Sequence, residues 1–185
     1  MQSETILKSL IEKTKEIITK AQKLKYQDIQ TLVWRENRDS WNILECLEHL
    51  NLYGDYYLPE FKYCIKNAKN KNDEHFESGF LGNYFSISML PKGKINKMKT
   101  FKSKNPIDLK LDKSVIDNFI NQQIIFLELL NQAGYVSLNK TKIKISISRF
   151  IRLNLGDTMQ FYINHIIRHI IQIEKIEVVM KNVKM

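Results

Sequence analysis

Near its C-terminal end the chain reads INHIIRHIIQIEKI, residues 163–176, with His165 and His169 four positions apart among isoleucines. The whole chain holds four histidines, so half of them fall in this stretch. On a helix, residues four apart leave the same face about 6 Å from one another along the axis. Both imidazoles can then turn toward one point. Neutral imidazole suits zinc, nickel, copper and iron, with its nitrogen about 2 Å from the ion. Two ligands hold an ion poorly, so a third must come from elsewhere. His49, in ECLEHLNLY, shares a helical stripe with Cys46, Tyr53 and Tyr56. His75, in NDEHFES, sits in a polar stretch where a surface histidine needs no explanation. Helical bundles build metal sites from inward-facing residues on different helices, which makes His49, His165 and His169 the sharper set. The competing reading is two ordinary half-buried histidines, and the pair alone does not choose between them.

Three neutral ligands would leave a divalent ion its full charge and an open position. That position can hold a water whose pKa falls toward neutrality, or a thiol presented as thiolate. Hydrolysis and thiol transfer both fit. The zinc-protease pattern does not, because it needs a glutamate directly after the first histidine, and Ile166 follows His165. Around the histidines, Gln172 could line the same cleft or simply pack between helices. Arg168 could meet an anionic substrate group or make an ion pair with Glu45 or Glu48. Tyr53 and Tyr56 either wall the pocket or belong to the core. Cys46 reads as a small buried side chain, and Trp41 as an anchor for the start of the second helix in the core.

These residues need long helices to position them, and the apolar spacing predicts four. The first spans about Glu4 to Leu24, with Ile6, Leu7, Leu10, Ile11, Ile17, Ile18 and Leu24 inward and Ser3 as cap. The second follows RDS, capped by Asp39 or Ser40, and carries Pro59, which predicts a kink. The third spans about Asp112 to Ala133 and stops at Gly134, which tolerates a left-handed conformation. The fourth opens after LGDT, capped by Asp157 or Thr158, and runs to about Asn182. Residues 70–111 form a long irregular connection between the second and third helices. KTKIKISIS, residues 140–148, alternates like a strand but lacks an evident partner, so it reads as an extended connection. The expected architecture is a single all-α domain over residues 1–185, a four-helix bundle.

Bulk properties narrow the function classes. Lys and Arg number 29 against 20 Asp and Glu, a net charge of +9. That balance invites nucleic-acid binding, but the arginines are only Arg35, Arg38, Arg149, Arg152 and Arg168, and the lysines are spread out. Nucleic acid is therefore disfavoured, and the densest basic run, PKGKINKMKTFKSKN at residues 91–105, reads as a solvated loop. No apolar stretch reaches membrane-span length, the first residues lack a signal peptide's apolar middle, and Cys46 and Cys64 make no disulfide framework. The expectation is a cytoplasmic protein with no membrane association.

SWNILECLEHL, followed much later by LGDTMQFYINHIIRHIIQIEKI, resembles the DinB/YfiT-like superfamily of metalloenzymes. The middle stretch FLGNYFSISMLPKGKINKMKTFKSKNP is similar to the connection in its DinB-like branch. The most specific part is one histidine in the second helix, then His-x-x-Arg-His-x-x-Gln in the last: His49, His165, Arg168, His169 and Gln172. The resemblance implies a four-helix bundle whose three histidines bind one divalent ion, nickel or zinc, and a homodimer. It implies a small-molecule substrate and an enzyme that is either an S-transferase using a low-molecular-weight thiol or a hydrolase. The alternative is a non-catalytic, metal-binding or stress-linked interaction protein of the same fold.

Overall fold

A computed structural model describes residues 1–90, 100–146 and 148–184. The chain is mostly helical: α1 (Ser3–Leu24), α2 (Ile29–Leu32), α3 (Ile43–Lys66), α4 (Phe80–Met89), α5 (Ser114–Ala133) and α6 (Leu155–Lys184), with a 3-10 turn at Lys102–Lys104. The long helices α1, α3, α5 and α6 pack against one another, α5 lying against both α1 and α3, and α6 against the same two. The apolar stripes explain this arrangement. Ile6, Leu7, Leu10, Ile17 and Leu24 of α1 are buried, as are Val115, Ile116, Phe119, Phe126 and Leu130 of α5. Tyr57, Phe61, Phe126 and Tyr162 form an aromatic cluster where α3, α5 and α6 meet, with Phe126 and Tyr162 ring centroids 4.9 Å apart.

Several sequence expectations are corrected. α3 is capped by Asn42, not Asp39 or Ser40: the Asn42 side chain accepts from Glu45 N at 2.8 Å, and Glu45 accepts from Asn42 N at 2.9 Å. Ser40 is spent in a turn, its hydroxyl donating to Asn37 O at 2.8 Å. Gln2 precedes α1, and Ser3 is already helical. Gly134 follows α5 in a right-handed conformation, φ −63°. Pro59 lies inside α3, where the sequence placed it.

The chain is not all-α. β1 (Lys142–Ile145) pairs antiparallel with β2 (Ser148–Asn154), Ile143 opposite Leu153, with an irregularity after Lys144. Ile143 and Ile145 face the core while Lys142 and Lys144 face outward, so the alternation in KTKIKISIS is a strand whose partner follows at once. β2 leads directly into α6. Asp157 and Thr158 consequently lie inside its first turn, and the buried Asp157 holds the start of α4, accepting from Gly79 N at 2.9 Å and from the Ser78 hydroxyl. The connection between α3 and α5 is partly ordered, because it contains α4 and the 3-10 turn. Of the basic run at 91–105, residues 91–99 lie outside the described residues.

Candidate metal centre

α3 and α6 bring His49, His165 and His169 together, across 116 positions of sequence between the first two. Asn42 starts α3 seven residues before His49, so the capping box fixes the register in which that histidine faces inward. On α6, Tyr162, Ile163, Ile166, Ile170 and Ile173 bury their side chains in the core and seat the histidine face against α3. The three histidines are 4–7 % exposed.

His49 Nε2 lies 3.2 Å from His165 Nε2, and His169 Nε2 lies 3.1 Å from the same atom. The outer nitrogens of two rings are fixed by acceptors. His49 Nδ1 donates to the Lys104 carbonyl at 2.6 Å. His169 Nδ1 donates to Gln172 Oε1 at 3.0 Å. Neutral imidazole carries one N–H, so both inner Nε2 atoms are bare lone pairs aimed at His165 Nε2, which has at most one proton to share between them. A cation at the centre satisfies all three. Ligands about 2.0–2.1 Å from an ion stand about 2.9 Å apart at right angles and about 3.4 Å apart in a tetrahedron, a range that brackets both separations. The residues present therefore fit a divalent ion, and the two Nδ1 acceptors are the outer partners that set a ligating ring's tautomer.

The electrostatics agree. Burial pushes His49 down to about 4, with the Lys104 ammonium adding to the shift and the Lys104 carbonyl opposing it. Burial likewise pushes His169 down to about 3, against the opposing bond to Gln172. His165 falls well below the usual range, through burial, its two histidine neighbours and Arg168. All three rings are neutral at neutral pH and can bind an ion without first losing a proton.

The surroundings sort the other candidates. Tyr53 packs edge-on against the rings of His49 and His165, centroids 5.0 and 4.7 Å away, so it walls the cluster. Tyr56 packs on Tyr57. Gln172 touches His169 directly. Arg168 is buried beside the cluster, and burial lowers its pKa. Of the carboxylates that were candidate partners for Arg168, Glu45 takes Arg35 at 2.8 Å along with the Asp108 N–H, and Glu48 accepts from Asn51. Cys46 is wholly buried, and burial raises its thiol pKa far above the usual range. His75 is exposed, its backbone bridging to Gln2.

The places of Trp41 and Lys104 at the site escaped sequence reasoning. Trp41 is half-buried and lies over the histidines, its ring centroid 4.7 Å from His49 and 5.8 Å from His169. Its indole N–H donates to Asn105 Oδ1 at 3.0 Å. Lys104, beside Asn105, supplies the carbonyl that holds His49. A main-chain oxygen carries no residue signature, and these two residues sit in a run that reads as solvated loop.

The sequence model of the DinB superfamily matches residues 27–173. The chain belongs to the DinB superfamily. The matched span includes all three histidines, Tyr53, Gln172 and the β-hairpin, and leaves out α1. No curated protein and no solved structure matches this DinB-superfamily chain.

Proposed function

We propose that this DinB-superfamily protein is a divalent-metal-dependent enzyme that acts on a small molecule. The observation that carries the reading is the convergence of three neutral imidazoles, two of them locked by Nδ1 acceptors with their lone pairs inward. His49, His165 and His169 hold one ion, with zinc and nickel the best matches to an all-imidazole set. Bound there, such an ion supplies Lewis acidity and lowers the pKa of a water or a thiol.

The remaining work belongs to the chain. Trp41 covers the His49 and His169 side and limits water. Tyr53 forms a wall beside His49 and His165. Gln172 and the Lys104 carbonyl keep the ligands in one tautomer. Thiol-dependent S-transfer and hydrolysis both fit, because the open position accepts sulfur or oxygen alike. The architecture is read as one domain over residues 1–185, a four-helix bundle of α1, α3, α5 and α6 that works as a cytoplasmic homodimer. No helix among the described residues is long and apolar enough to cross a membrane. Near-complete burial of the cluster also favours a second reading, a metal-binding protein without turnover.

Metal analysis of purified protein, followed by turnover assays, tests the proposal. Wild type is expected to carry one divalent ion per chain and His49→Ala to lose most of it. Metal-loaded wild type is expected to consume a low-molecular-weight thiol against a panel of electrophiles, or to hydrolyse esters or amides, at rates that the three-histidine variant lacks. Equal metal in wild type and in the variant with all three histidines changed to alanine sinks the site. Full metal loading without turnover selects the non-catalytic reading.

A further inference from the structure

The charge pattern around the cluster narrows the ligand. Lys104 is half-buried and lies beside both His49 and Tyr53. Its carbonyl is bound to His49 Nδ1, and its Nζ lies 5.4 Å over the centre of the Tyr53 ring. The ammonium donates to Leu52 O at 2.5 Å. That bond uses one of its three protons. No carboxylate comes within ion-pair distance of it among the described residues. Asp55 is the one carboxylate that bears on it, from further off, and that side chain accepts from Gln122 at 2.9 Å.

A half-buried ammonium with one hydrogen bond made keeps two protons for an anionic group. Among the described residues no carboxylate pairs with it. The candidate ligands are three neutral rings. Glu45 is committed to Arg35 and to two backbone N–H groups. With a divalent ion in place, the centre is strongly positive and has no anion among its ligands. Tyr53 adds a polar group on the same side. Tyr53 is 8 % exposed, and its hydroxyl makes no hydrogen bond among the described residues.

We propose that the small molecule completing this centre carries an acidic group, a carboxylate or phosphate, in addition to the atom that reaches the ion, and that the Lys104 ammonium binds this group beside Tyr53. The inference rests on the metal-dependent reading above and specifies its substrate class. Lys104 thereby has two separable tasks: its backbone orients His49, and its side chain selects charge. The second task depends on the ammonium alone, so the two can be tested apart.

The probes are mercaptopropionate and its neutral amide, titrated into cobalt(II)-loaded protein and followed by the cobalt visible spectrum. Both present the same thiol, so their difference isolates the carboxylate. Wild type is expected to bind the acid about tenfold more tightly than the amide, as a charge-assisted contact gives. Lys104→Met is expected to bring the two within about twofold, with cobalt content unchanged, and Lys104→Arg to keep the preference. Equal affinities in wild type, or a full preference surviving in Lys104→Met, overturn the proposal. A Lys104→Met protein that loses cobalt altogether assigns the side chain to holding His49 and overturns it too. Equal cobalt in the histidine-free variant overturns the underlying metal reading instead, a result distinct from loss of the acid preference.

Discussion

The carbonyl oxygen of Lys104 lies 2.6 Å from Nδ1 of His49, a residue 55 positions earlier in the chain. The contact fixes which nitrogen of His49 faces its two partners. It also ties the 3-10 turn to α3 at the point where the histidines converge. On the other side Gln172 does the same for His169, but with a side chain, which mutation can remove.

Gln172→Ala is therefore expected to weaken metal binding by about 10–100-fold, the usual cost of losing an outer partner of a ligating histidine. Competition with a chromophoric chelator measures this. Gln172→Glu, which keeps an acceptor, is expected to retain affinity near wild type. An Ala variant that binds as tightly as wild type shows that His169 needs no fixed tautomer.

Trp41 offers an optical readout. Its ring lies against His49 and His169, so a paramagnetic ion such as nickel or cobalt in the cluster is expected to quench its fluorescence. The chain has one other tryptophan, Trp34, as background. Trp41→Phe should abolish most of the metal-dependent change while leaving the metal content near wild type. Quenching of equal size in that variant places the ion elsewhere.

Acid should destabilise the metal-free protein. His49 and His169 have folded-state pKa values of about 4 and about 3, below the unfolded value of about 6.5. Above that value both states are neutral, and these groups add no pH dependence. As pH falls below it, the unfolded chain binds protons that the folded chain refuses. Stability is then lost by about 1.4 kcal/mol per pH unit for each such ring until the folded pKa is reached. Urea melts of metal-free protein between pH 7 and pH 4.5 measure the slope. In His49→Gln, which cannot take up that proton, the slope should be smaller. An unchanged slope assigns the acid sensitivity to other groups.

The sequence carried part of this organisation. The spacing of His165 and His169 is legible because a helix repeats every 3.6 residues, and four positions return to the same face. The buried stripes of α1 and α5 follow from the same periodicity. The start of α3 was misplaced because Asp39, Ser40 and Asn42 are all good caps by residue type, and only the turn that engages Ser40 with Asn37 decides among them. The alternation in KTKIKISIS was legible, but without an evident partner it read as an extended connection rather than a strand. SRFIRLN mixes cations and apolar residues without marking which face is inward. α4 was hidden within a connection whose ordering depends on Asp157, some 75 residues further on. The lid formed by Trp41 over the histidines depends on tertiary folding, which no local pattern encodes.

The distance along the chain between His49 and His165 has one more consequence. A single atom shared by these rings would close a loop of 116 residues, spanning α3, α4, the 3-10 turn, α5 and the hairpin. Such a closure acts as a staple on the unfolded ensemble, much as a cross-link does. No half-assembled form that lacks either α3 or α6 can present the full set of nitrogens. Occupancy of the centre would thus register whether both ends of the fold have docked, and foldedness would rise and fall with the supply of the ion.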